Sequence, residues 1–169
     1  MKRFGLWLLI LSLAGCAAIP ASPARPSTEN LTEFAFAGRI TVRQGEQRHH
    51  LKIDWRHAPA DDEILLTTPF GQGVARLSRN AAGAVLELAD KRRFAAADWG
   101  ELAAEVFGFR LPLSGATRWL VGDLAATDGW QVTIVEREST APNALPSIIE
   151  LERDDIVVRV KIDEWTEVR

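Results

Sequence analysis

Several things are scarce in this chain. Its 169 residues include one cysteine, one methionine, three histidines and no tyrosine. A lone cysteine cannot close an intramolecular disulfide, and it offers no second thiolate for a zinc cluster. His49 and His50 are sequence neighbours, so on a strand they face opposite ways, and His57 stands beside a turn. No metal site is expected from them. No apolar run approaches the roughly 20 residues a helix needs to cross a bilayer; the stretch Phe4 to Ala14 has 11. There is no G-x-S-x-G elbow. "GQG" at 71–73 lacks the Gly-Lys and the helix that complete a phosphate loop. The carboxylate pairs Asp61–Asp62 and Asp154–Asp155 lie in polar, turn-like contexts and read as solvated turns rather than acid/base pairs. Neither an enzyme nor a cofactor is expected.

What is present begins at the N-terminus. "MKRFGLWLLILSLAGC" has a positive start, a short apolar run and then small residues, the layout of a secretory signal. Its last four residues, Leu13 to Cys16, resemble the bacterial lipoprotein box, which implies cleavage before Cys16 and acylation of that cysteine. The expected organisation is a removed signal peptide at 1–15, a lipidated tether at 16–33 and a single folded domain at 34–169. Residues 17–33 hold three of the eight prolines among small and polar residues, a linker composition. Without Lys2 and Arg3 the mature chain carries 18 basic against 23 acidic side chains, a net of −5. That balance argues against nucleic acid and against attraction to an anionic lipid surface.

From Phe34 the pattern has period two. Phe34, Phe36, Ile40 and Val42 fall on one face, with Arg39, Thr41 and Arg43 on the other. Leu51, Ile53 and Trp55 alternate with Lys52, Asp54 and Arg56, which again reads as a strand with one dry face. Weaker copies follow at "EILLTT", "GVARLSR", "AVLELA" and "RRFAA", and later at "GWQVTIVER", "SIIELER" and "DIVVRVKID". Between the two groups, "DWGELAAEVFG" places Asp98 and Glu101 at capping-box spacing and an apolar stripe from Trp99 to Phe107, with Gly108 to end the helix. A second short helix is expected from a Ser114 cap through Trp119 to Gly122. A long meander with one dry face has to curl around something to hide it. The expected fold is mainly β (α+β): a curved antiparallel sheet forming an unclosed barrel, with the helices as a lid over an apolar cavity.

One turn is unusual. "TTPFGQG", residues 67–73, puts Phe70 between Pro69 and Gly71, where a water-facing turn ordinarily carries Asn, Asp or Ser. A single exposed apolar residue commonly means nothing; the other reading is a side chain that meets a membrane.

These segments together resemble the family of the outer-membrane lipoprotein receptor LolB. The resemblance rests on "FAFAGRITV", "IDWR", "LLTTPFGQGVARL", "DWGELAAEVFGFRLPL", "RWLVG", "GWQVTI" and "LPSIIEL", in this order behind the lipobox. It implies a receptor on the periplasmic face of the outer membrane, held there by its lipid anchor, and expected as a monomer. Such a receptor takes lipoproteins from a soluble periplasmic, LolA-like carrier by their acyl chains and places them in the outer membrane without nucleotide. Ala17 after Cys16 fits outer-membrane sorting, where an Asp would favour retention in the inner membrane. The family carries an apolar residue, commonly leucine, in a Pro-Leu-Gly stretch on a protruding loop. Pro69, Phe70 and Gly71 match it with a change of identity but not of character. Candidates for the acyl-chain cavity are Phe36, Ile40, Ile53, Trp55, Leu66, Phe107, Trp119 and Trp130. Two rival readings are a lipoprotein with a packed interior that serves a structural or other ligand-binding role, and a tethered hydrolase.

Overall fold

In the computed structural model, residues 31–107, 113–125, 127 and 129–169 are described; the signal segment, Cys16 and most of the tether lie outside them. The alternating segments form nine strands: β1 Phe34–Gln44, β2 Gln47–His57, β3 Asp62–Thr67, β4 Gly73–Asn80, β5 Gly83–Leu88, β6 Arg93–Ala96, β7 Gln131–Arg137, β8 Pro146–Arg153 and β9 Ile156–Val168. Two helices, α1 Trp99–Phe107 and α2 Leu113–Leu120, come between β6 and β7. All strands join one antiparallel sheet in the order β6-β5-β4-β3-β2-β1-β9-β8-β7. The C-terminal strand therefore returns to pair with the N-terminal one at the centre, and among the described residues β6 and β7 are left as unpaired edges. The helices connect those two edges.

Curvature follows from who meets whom. Strands β5 and β8 stand six places apart in the sheet, about 29 Å if it were flat at ~4.8 Å per strand. Yet Leu86 of β5 and Ile149 of β8 line the same cavity. The sheet is therefore rolled, with its dry face inward and α2 across the gap, where Ala116, Trp119 and Leu120 complete the wall.

Helix α1 is capped as its sequence requires: Asp98 Oδ1 accepts from the Glu101 amide at 2.9 Å. Gly108 lies outside the described residues. Helix α2 differs from expectation, since it already includes Leu113, which makes Ser114 its second residue rather than its cap. Its C-terminus closes by the double bond of a Schellman motif, Gly122 N to Trp119 O and Asp123 N to Arg118 O, both 2.9 Å. Gly122 supplies the positive φ of 95° that this ending needs. An ion pair between Arg118 and Asp123 sits across it.

The end of β9 also departs from simple alternation. Gly38 pairs with Ile162 but Ala37 with Glu164, so Asp163 is an extra residue, a β-bulge. The bulge reverses parity, which turns Trp165 inward opposite Phe36 and leaves Asp163 to bind Arg39 through both carboxylate oxygens, at 2.9 and 2.6 Å.

Candidate functional site

Strand register divides the rolled sheet into two ends. At one, Phe34 pairs with His57 and Val168, and Thr32 and Glu33 bond to Arg169, so both termini of the domain meet there. Inward-facing aromatics fill this end. Phe34, Phe36, Trp55, His57 and Trp165 stack or meet edge-on with ring centroids 4.9–6.2 Å apart. This cluster is a floor. Beneath it lies Asp62, buried with its carboxylate accepting from Trp55 Nε1 at 3.1 Å, His57 Nδ1 at 2.6 Å and Arg79 Nε at 2.6 Å. Burial alone would raise this carboxyl, but the hydrogen bonds from His57, Trp55 and Arg79 outweigh it and hold Asp62 below the usual aspartate value. Asp62 is therefore not the solvated turn residue its sequence context suggests; Asp61, beside it, is exposed.

At the other end stand the β1–β2 turn, the β8–β9 turn and the β3–β4 loop, because Gln44 pairs with both Gln47 and Ile156 and Thr67 pairs with Lys52. Along the inner face of β1 the side chains grow wetter towards this end, from buried Phe34 and Phe36 through half-buried Ile40 and Val42 to exposed Gln44. Strand β2 mirrors the gradient from Trp55 and Ile53 to Leu51 and His49. Between floor and mouth lies a cavity of ≈420 Å³. Apart from Gln44 and His49 at its wet end, its walls are aliphatic side chains and the indoles of Trp55, Trp119 and Trp130. The Trp130 indole N–H is buried without an acceptor among the described residues.

Of the cavity candidates, Ile40, Ile53, Trp55, Leu66, Trp119 and Trp130 line this space. Phe36 does not; it faces inward but lies one layer deeper, in the aromatic floor against Trp55 and Trp165. The Phe107 side chain lies outside the described residues. Sequence reasoning missed most of the far wall, including Leu77, Leu86, Ile149 and Val158. Their alternation was visible, but which strands would face each other depends on how the sheet rolls.

The 68–72 loop stands at the mouth end, between the cavity-lining residues Leu66 and Val74. Gly71 N bonds to Thr68 O at 2.9 Å, Pro69 takes the second turn position and Gly71 follows with φ 86°. The Thr68 hydroxyl accepts from Gln72 N at 3.1 Å. Phe70 at the tip is 94% exposed. Its ring makes no contribution to the core, and transferring it from water would contribute about 1.5–3 kcal/mol.

The fold and its cavity define an open antiparallel β-barrel, closed by an aromatic floor and lidded by helices, with an apolar pocket inside. Comparison with known families makes this specific. The family described as "Outer membrane lipoprotein LolB" matches residues 32–165, and the chain belongs to it. Among similar proteins, the "Outer-membrane lipoprotein LolB" of Chromobacterium violaceum is 30% identical, the alignment covering 98% of this chain and 99% of that protein. Proteins of the same name from Dechloromonas aromatica (30% identical, 98% and 97% covered) and an Azoarcus species (31%, 90% and 89%) are also similar.

Proposed function

We propose that this protein is an outer-membrane-anchored receptor that takes lipoproteins from a soluble periplasmic, LolA-like carrier and inserts them into the outer membrane. The observation that carries the reading is an apolar cavity inside the rolled sheet, at whose mouth end the exposed Phe70 projects. The resemblance to the family implies the cargo class, and membership of the family supports it. Cys16 holds the domain at the membrane, the cavity receives acyl chains, and Phe70, set by Pro69 and Gly71, enters the bilayer surface while cargo leaves. The transfer is passive. An acyl chain in water is disfavoured by ~0.8 kcal/mol per methylene, so cargo passes from one dry space directly into the next and finally into the bilayer.

Size constrains the mechanism. An apolar cavity of about 150 Å³ holds one benzene. By that ratio, ≈420 Å³ accommodates on the order of fifteen to twenty carbons, one acyl chain rather than three. A triacylated cargo has to part the helices from the sheet, and α2 is the element to move because it spans the gap between the strands. The rival reading, a merely packed interior, gains nothing from a cavity of this size.

The test is to mix the mature chain carrying Cys16→Ala with lipoprotein-loaded carrier, then add vesicles. Cargo should move to the receptor and then to the vesicles. Phe70→Glu should accept cargo with its fold intact, since surface changes of this kind shift stability by within about 0.5 kcal/mol, and should then fail to release it. Cargo that stays on the carrier in the presence of the unsubstituted protein would sink the proposal.

A further inference from the structure

The net acidity of the chain hides how the sheet sorts its charges. On β1, β2 and β9 the residues that alternate with the cavity wall point outward, and towards the mouth end six of nine are Lys or Arg, the others being Thr41, His50 and Val157. Register sets them in rows. Lys52, Arg39 and Lys161 lie side by side across the three strands, and Arg43 stands opposite Arg48. Between these rows come His50, Thr41 and Arg159. Arg39 is matched by Asp163, with Lys161 close to the same carboxylate, and Arg159 is matched by Glu150. Arg43, Arg48 and Lys52 make no ion pair among the described residues, and all three are exposed.

Like charges directly opposite one another on paired strands are destabilising. A face that only needed to be wet would alternate signs, as the outer face of β4 and β5 does with Arg76 opposite Glu87. We infer that the outer face of β1, β2 and β9 at the mouth end is a docking surface for anionic phospholipid headgroups. Two features favour a bilayer over another occupant. The cations form a two-dimensional array, spaced ~4.8 Å across strands and ~14 Å along β1 and β2, where Thr41 and His50 stand between them, which suits a plane of many headgroups rather than a pocket for one phosphate. The 94%-exposed Phe70 projects from the same end, so cations and an apolar tip occur together, matching the headgroup and acyl layers of a membrane. The surface would set how the domain lies while its mouth is presented, and vesicle binding without cargo reads it independently of the transfer proposal.

The test uses the mature chain with Cys16→Ala, so that no acyl anchor contributes, and sedimentation with two kinds of vesicle: phosphatidylglycerol mixed with phosphatidylethanolamine, and phosphatidylcholine alone. Each Lys or Arg near an anionic surface contributes a factor of about five. The triple variant Arg43→Gln, Arg48→Gln, Lys52→Gln should therefore bind the anionic vesicles at least about ten-fold more weakly, with a melting temperature unchanged or higher as repulsion is relieved. A control removing as many charges elsewhere (Arg76→Gln, Arg92→Gln, Arg93→Gln) should bind like the parent. Parent binding should fall as salt is raised from about 50 to about 500 mM. Equal partition of the parent between the two vesicle types, or an equal loss in both triples, overturns the inference. If the patch triple binds vesicles normally but takes cargo from the carrier more slowly, the face belongs to an acidic protein surface instead.

Discussion

Asp62 shows how a single side chain can hold a site that it does not line. Its carboxylate binds Trp55, whose other side is cavity wall, and it ties β2 to Arg79 of β4. Because its folded-state value is depressed, its contribution is fully present above about pH 4, the ordinary aspartate range. That contribution is lost as the pH falls through the lower folded value. Asp62→Asn should cost about 2 kcal/mol near neutrality, and the difference from the parent should shrink below about pH 4, read as urea midpoints at pH 7 and pH 3. A difference that stays constant over that range would show that charge at Asp62 is irrelevant. At this scale the sequence was informative where a residue broke local custom. Phe70 was conspicuous because turns seldom carry it, and the structure leaves it in water. Asp62 was illegible because its partners are supplied from 5, 7 and 17 residues away, and adjacency to Asp61 suggested a polar turn.

At the scale of elements, period two was enough to find all nine strands, since each has one face against a dry interior. It failed where the backbone adds a residue. The Asp163 bulge inverts the alternation of β9, and nothing local announces it. Its counterpart is Gly38, where a Cβ would come within 2.3 Å of the Lys161 carbonyl oxygen. The backbones of β1 and β9 approach that closely beside the bulge, and this pairing joins the N- and C-terminal parts of the sheet. Gly38→Ala should therefore destabilise by about 1–3 kcal/mol through overpacking, measured by chemical denaturation. A variant as stable as the parent would mean that the strands can separate here without penalty. Cap geometry was legible at α1, where Asp98 sits at the right spacing, and less so at α2, where the helix already includes Leu113 ahead of the expected Ser114 cap.

Over the whole molecule, the point where the chain enters the domain and the mouth lie at opposite ends. Strand β1 starts beside the floor and runs 11 residues to the mouth end, about 37 Å at ~3.4 Å per residue. If Cys16 is held at the membrane as proposed, the residues between it and Glu33 have to run back past the domain for Phe70 to reach that membrane. The 17 residues after Cys16, up to Glu33, span at most about 60 Å, which suffices. Deleting residues 20–29 leaves a reach of about 25 Å, which does not. The shortened protein, lipidated and membrane-bound, should accept cargo and release it poorly, and lengthening the tether with Gly-Ser residues should restore release. Unimpaired release after the deletion would mean that the mouth does not have to turn to the membrane. Neither this geometry nor the sorting of charge onto one face could be read from composition, because both depend on register.

The central claim is that acyl chains occupy the space between the aromatic floor and the mouth. It is tested most directly with a fatty acyl chain carrying a photoactivatable group at mid-chain, bound to the mature Cys16→Ala protein, irradiated and mapped by mass spectrometry. The account predicts labelling of cavity-wall residues such as Leu66, Trp119 and Val158, reduced by an unlabelled fatty acid in competition. Labelling confined to the outer surface around Phe70, or none on folded protein, would contradict it.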